Sequence, residues 1–154
     1  MVRLQKEIKL KAEYIIIGSG RLAKHLDYYF SLMNIPHLSW HRKMSAERLK
    51  NFLKITNTVL LAISDSAIEP FINSNKKILG GKTIIHFSGA LATKKAFGCH
   101  PLMSFSHSLY DHEFYKTILF CVDEDSPGFE ALFPKLPNPH ITIPKKQKPF
   151  YHAL

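Results

Sequence analysis

The chain has 154 residues, 45% hydrophobic and 21% charged, a composition that excludes disordered and collagen-like classes and suits one globular domain. Its longest apolar run is five residues against the ~20 of a membrane span, its charged start has no apolar signal core, and Cys99 and Cys121 read as buried thiols of a cytoplasmic protein. The net charge of +9 gathers at the front, where residues 1–54 hold eleven Lys and Arg against four Asp and Glu; the composition favours anionic partners such as nucleic acid, acidic lipid or a phosphorylated small molecule.

Residues Glu13-Tyr-Ile-Ile-Ile-Gly18 read as a short strand, because a continuous β-branched run suits a parallel sheet covered on both faces. Leu22, Ala23, Leu26, Tyr29, Phe30 and Met33 then recur at helical spacing, and Asn34–Pro36 closes that helix. His37–His41 is a second strand. Ser45 caps a helix over Ala46–Lys54, with Arg48 where a capping box would carry Glu. Thr58–Ile63 is the next buried strand and leads into a short helix from about Ser66 to Asn75. The Gly80-Gly81 turn introduces a strand at Thr83–Phe87, ended by Ser88-Gly89-Ala90. Beyond it the pattern loosens. Ala96–His100 is a short strand, Ser104–Glu113 reads as loop, Thr117–Val122 as strand, Pro127–Leu136 as helix and His140–Ile143 as a last strand. Alternation at this spacing predicts βαβ units, hence an α/β, doubly wound, mostly parallel sheet over residues 1–143. Residues 144–154 differ. Pro144-Lys-Lys-Gln-Lys-Pro149 reads as a charged linker with no reason to pack, and Phe150–Leu154 as the start of a further helical domain or a tail that docks back.

The chemistry is concentrated at strand ends. Gly18-Ser-Gly20-Arg-Leu-Ala23 is G-x-G-x-x-A between a buried strand and an amphipathic helix, the context that gives this pattern meaning. Gly18 permits the tight turn, Gly20 leaves room for a pyrophosphate, Ala23 allows close helix–strand packing, and the helix N-terminus offers N–H groups and positive charge. The alternative is a domain that keeps these glycines for packing alone. About 20 residues on, where an Asp or Glu would hold the ribose of NAD, the chain reads Ser39-Trp-His41-Arg42-Lys43 with no acid. Arg42 there can take a 2′-phosphate bidentately while Lys43 adds a point charge, which favours NADP over NAD; His41 or Arg42 neighbours the adenine. Ala62-Ile63-Ser64-Asp65-Ser66 ends the third strand on the same rim, where Asp65 and Ser66 either cap the helix or line the crevice. His86-Phe-Ser88-Gly89-Ala90 ends the fourth strand, where a nicotinamide would lie. No catalytic residue can be assigned. His100, held extended by the following proline, is the candidate acid or base, with fixing the turn as its structural alternative. The nine histidines make no H-E-x-x-H and the cysteines no C-x-x-C, so no metal site is expected, and no G-x-S-x-G marks a nucleophile.

Taken together, the G-x-G-x-x-A opening, the A-I-S-D turn, the H-F-S-G-A turn and Gly98-Cys-His100-Pro-Leu-Met-Ser-Phe105 resemble the N-terminal domain of a Rossmann-like family of largely uncharacterised bacterial oxidoreductases. That family is similar to the pyrroline-5-carboxylate reductase, ketopantoate reductase and 3-hydroxyisobutyrate dehydrogenase group. The resemblance covers roughly residues 13–154. It implies an NADP-binding domain followed by a dimerising helical domain, whose first turn Tyr151-His152-Ala153 resembles. It further implies pyrophosphate-loop positions at Gly18, Ser19, Gly20, Arg21 and Leu22, an adenosine-phosphate contact at Arg42, and cofactor-lining positions at Ser64 and Asp65. The expected function is thus that of an NADP-dependent oxidoreductase domain for an unidentified small metabolite, with Ile63 and Ser88 also on the cofactor rim and a homodimer as one way to complete the site. Two alternatives stand: a nucleotide-sensing module without turnover, and a nucleic-acid binder. Against the latter, the aromatics are not interleaved with the bases as a stacking platform requires.

Overall fold

Four consecutive apolar residues make β1, Tyr14–Ile17, and all four are buried, because the sheet is covered on both faces. The structure, a computed structural model, describes residues 12–148 and 150. Tyr14 and Ile16 enter one core with Phe30, Tyr115 and Phe133, whereas Ile15 and Ile17 enter the other with Leu49, Leu53 and Ile68. The period-2 alternation of a strand thus divides one apolar run between two layers.

The other strands are β2 (His37–Trp40), β3 (Thr58–Leu61), β4 (Thr83–His86), β5 (Phe97–Pro101), β6 (Phe120–Asp123) and β7 (His140–Ile143). They form one seven-stranded sheet in the order β2-β1-β3-β4-β5-β6-β7. Every neighbouring pair is parallel except β5 and β6, which run antiparallel with Cys99 opposite Val122. The helices are α1 (Arg21–Leu32), α2 (Ala46–Ile55), α3 (Asp65–Ser74), α4 (Lys76–Leu79), α5 (His112–Thr117) and α6 (Phe129–Leu132). The predicted doubly wound, mostly parallel α/β architecture is the one observed. Its fold is Rossmann-like.

Local chemistry explains the boundaries. Helix α1 stops because Asn34 takes a left-handed φ of 55°. The Asn34 N–H then donates to Ser31 O and the Ile35 N–H to Phe30 O, a paired closure that satisfies the last carbonyls. Ser45 caps α2 as expected, its hydroxyl accepting the Arg48 N–H at 3.1 Å. The predicted loop over Ser104–Glu113 is corrected at its end. Asp111 accepts the Phe114 N–H at 2.8 Å and starts α5, a helix too short to show apolar periodicity. The expected strand at Thr117 consequently begins only at Phe120. The helix predicted over Pro127–Leu136 shrinks to Phe129–Leu132, since Pro134 cannot continue it.

The expectation that Pro144–Pro149 has no reason to pack is also corrected. Lys145–Gln147 forms a 3₁₀ turn, and Lys148 is buried, with Nζ 3.0 Å from Asp123 Oδ1 and donating to Leu91 O at 2.6 Å. Lys145 pairs with Asp125 at 2.8 Å and donates to Thr93 O. These residues clamp the stretch after β6 to the loop after β4. The helical start expected at Tyr151-His152-Ala153 lies outside the described residues.

Candidate functional site

The topology places a crevice before any side chain is considered. From β1 the chain crosses to β2 on one side, then returns past β1 to β3 on the other, so the carboxyl ends of β1 and β3 mark the switch point where doubly wound sheets hold ligands. The Gly18 N–H donates to Trp40 O and the Ala62 N–H to Ile17 O, each at 2.9 Å, drawing the ends of β2, β1 and β3 together. Gly18 has a φ of +137°, and a Cβ there would lie 2.2 Å from Ala62 O, so this approach requires glycine. Gly20 is different: a Cβ added to it would meet nothing within 4 Å. Packing does not demand that glycine. What it provides is open space directly before α1.

The N-terminus of α1 faces that space with no side-chain cap and no acidic residue in its first turn. Its leading N–H groups and dipole end are therefore free to meet an anion. The crevice has a volume of about 500 Å3, within the range of small-molecule sites. Of the residues singled out from sequence, Gly18, Ser19, Gly20, Arg21, Leu22, His41, Arg42, Ile63 and Ser64 line it. Arg21, His41 and Arg42 supply basic groups, and none of the described lining residues is acidic.

The remaining predicted residues lie outside this lining. Lys43 is exposed one residue past Arg42, its N–H donating to His41 Nδ1 at 3.3 Å. Asp65 is exposed as the first residue of α3, and neither it nor Ser66 caps that helix: Ser64 holds the N-cap position and makes no side-chain capping bond. Ser88 is buried, and its hydroxyl accepts the N–H groups of Ala90 at 3.2 Å and Leu91 at 2.9 Å, which shapes the turn after β4. His100 Nδ1 donates to Phe87 O at 2.9 Å, tying the end of β5 to the end of β4.

Sequence reasoning missed the apolar wall. Trp40, Ala62, Ala67 and Phe71 line the crevice, with the rings of Trp40 and Phe71 6.4 Å apart. Trp40 is fixed by its indole N–H, which donates to Ser45 O at 3.0 Å. Ala67 and Phe71 are one helical turn apart and so share the face of α3 that lines the crevice beside Trp40. That spacing was the available signal.

Away from the crevice, His86 is fully buried and its value is pushed down to about 4, first by burial and then by the Lys148 cation. The Ser88 N–H donates to His86 Nδ1 at 3.2 Å, so the neutral ring carries its proton on Nε2, which has no partner among the described residues. Cys99 and Cys121 are buried free thiols, both pushed upward by burial, so neither is set up as a nucleophile. Among the described residues, no cluster of three His, Cys, Asp or Glu could hold a metal, and no helix is long and apolar enough to cross a membrane.

No family model and no curated protein matches the sequence. Solved structures do match. Pyrroline carboxylate reductase from Plasmodium falciparum with NADP bound aligns with a TM-score of 0.67 at 12% identity over 94% of this chain and 62% of its own. An imine reductase from Aspergillus terreus in complex with NADPH4 aligns at 0.65 and 11% identity over 93% and 61%. A semialdehyde dehydrogenase NAD-binding protein from Cupriavidus necator with calcium and NAD aligns at 0.61 and 16% identity over 92% and 66%. The chain therefore spans less than two thirds of the length of each of these proteins. It shares with them a Rossmann-type fold.

Proposed function

We propose that this chain is the cofactor-binding part of an NADP-dependent oxidoreductase acting on a small metabolite. The observation that carries the proposal is the pairing of an open phosphate cradle with a basic, acid-free strand end. The uncapped start of α1 behind Gly20 is shaped for a pyrophosphate, and His41 and Arg42 line the same crevice where an NAD-specific site would carry a carboxylate. A nicotinamide dinucleotide fits these residues, and when bound it supplies the hydride chemistry. The chain's own part is to bind and orient. The Gly18–Ala23 turn would hold the pyrophosphate, Arg42 and Lys43 the 2′-phosphate, and Trp40 and Phe71 would exclude water from the adenine side. Arg42 suits that task because a guanidinium presents paired donors to phosphate oxygens. His100 is the candidate proton-transfer group on the rim. Substrate contacts are assigned to a wall outside residues 1–143, either a helical domain beginning in 144–154 or a second copy of the chain.

A nucleotide-sensing module without turnover is the second reading, favoured by the position of His100 outside the crevice lining. Calorimetric titration with NADPH and NADH at fixed salt tests the cofactor reading. NADPH should bind more tightly, and Arg42→Ala should remove most of the difference, about ten- to a hundredfold for a charge-assisted contact. Equal affinities in the unaltered protein would rule out the phosphate assignment. NADPH oxidation screened across small keto acids, imines and aldehydes then separates enzyme from sensor.

A further inference from the structure

The Pro101–Tyr110 stretch leaves β5 and runs across the face of α1, and it is tied down in register. Arg21 and His25 stand one turn apart on that face of α1. His25 is buried, and its Nε2 donates to Ser106 O at 2.8 Å while Nδ1 accepts from the Tyr115 hydroxyl at 2.7 Å. The rings of Phe105 and Tyr110 lie 4.8 and 4.7 Å from the His25 ring. The Ser106 N–H donates to the Tyr110 hydroxyl at 2.8 Å, and the Tyr110 N–H to the Tyr115 hydroxyl at 3.2 Å. Ser106 is thus held through both of its backbone polar groups. The next residue, His107, meets Arg21: Nη2 of Arg21 is 2.8 Å from Nε2 of His107. A guanidinium can only donate, so Nε2 is the acceptor and the neutral ring carries its proton on Nδ1.

We infer that His107 is a positioning residue for Arg21, holding the guanidinium at the edge of the crevice where a dinucleotide pyrophosphate would bind. The inference rests on the dinucleotide reading above and gives the loop after β5 a task within it. An exposed arginine loses much rotamer freedom when it engages a phosphate. A neighbour that already fixes one of its nitrogens, and leaves the other donors of the fork available, lowers that cost. Arg21 and His107 are both exposed, and the hydrogen bond from the buried His25 ring to Ser106 O is what fixes the loop next to His107. His107 acts through Arg21.

ADP-ribose is the probe, since it carries the pyrophosphate but no 2′-phosphate and no nicotinamide. It is titrated calorimetrically at pH 8, above the ordinary imidazole range. His107→Ala should weaken binding about three- to tenfold, the effect of one lost charge-assisted contact seen only in part. His107→Gln, whose amide oxygen accepts the same hydrogen bond, should restore most of that loss. In an Arg21→Ala background, His107→Ala should cost nothing further, because residues that act as a unit are not additive. Undiminished affinity in His107→Ala, or the same loss when Arg21 is already absent, would overturn the inference while leaving the cofactor reading standing. Failure of the unaltered protein to bind either ADP-ribose or NADPH would overturn both.

Discussion

At the carboxyl ends of β1, β2 and β3 the chain leaves donors facing an open crevice, whereas around the ends of β4, β5 and β6 it turns its polar groups on one another. Gly20 lies open, the start of α1 is uncapped, and Arg42 lines space. Across the sheet, the Gly98 N–H donates to Asp123 Oδ2 at 2.7 Å, and Asp123 Oδ1 faces Lys148 Nζ at 3.0 Å, with both side chains at most 2% exposed. Lys148 also donates to Leu91 O. A ligand site must keep donors in reserve. A buried ion pair cannot, because each unmet charge in low dielectric costs several kcal/mol.

The largest effect should come from the second region. Lys148→Met leaves the Asp123 carboxylate buried without its cation, which should cost about 3–5 kcal/mol of stability and lower the denaturant midpoint without changing the slope. Neither Asp123 nor Lys148 lines the crevice, so NADPH affinity at a temperature where the variant is folded should stay unchanged. A loss of binding equal to the loss of stability would erase the distinction between the two regions.

His86 sharpens the same contrast through pH. Its folded value of about 4 lies below the ordinary ~6.5 of an unfolded histidine. Between those values the unfolded chain takes up a proton that the folded chain refuses, so stability falls as pH drops through that window and levels off below it. The contribution should reach roughly 2–4 kcal/mol. It should be missing in His86→Phe when urea unfolding is followed at a series of pH values. An identical acid limb in both proteins would contradict the buried neutral state of His86.

Within the crevice, the two glycines should separate cleanly. Gly18→Ala sets a Cβ against the Ala62 carbonyl at a positive φ and should cost about 3 kcal/mol or more in stability. The Cβ of Gly20→Val meets nothing within 4 Å, so thermal unfolding should move little while dinucleotide binding fails. A Gly20→Val protein that is folded and still binds NADPH would remove the pyrophosphate from Gly18–Ala23.

How much of this was legible in the sequence follows the same division. The Gly18–Ala23 turn was readable because a β-branched run, two glycines and a helical apolar spacing occur within one short stretch, all local signals. Arg42 was readable by counting along the chain from Gly20, since βαβ geometry fixes where β2 must end. The clamp at Lys145 and Lys148 was not, because Pro-Lys-Lys-Gln-Lys-Pro has the composition of a solvated linker and its partners Asp123, Leu91 and Thr93 are distant in sequence. The reversal of β6 was equally hidden. The residues between β5 and β6 are spent on the loop that docks on α1, so they provide no crossover to a parallel strand, and periodicity carries no trace of that docking. The aromatic wall needed the approach of Phe71 on α3 to Trp40 at the end of β2 before it could be seen.

The central claim, that the β1–β3 crevice holds a nicotinamide dinucleotide, is tested most directly by mapping amide chemical shifts of the labelled chain during titration with NADPH. The account predicts saturable shifts concentrated at Gly18–Ala23, Trp40–Arg42 and Ala62–Ser64, with Asp123 and Lys148 unmoved. Shifts centred on the β4–β6 side, or none at saturating NADPH, would contradict it.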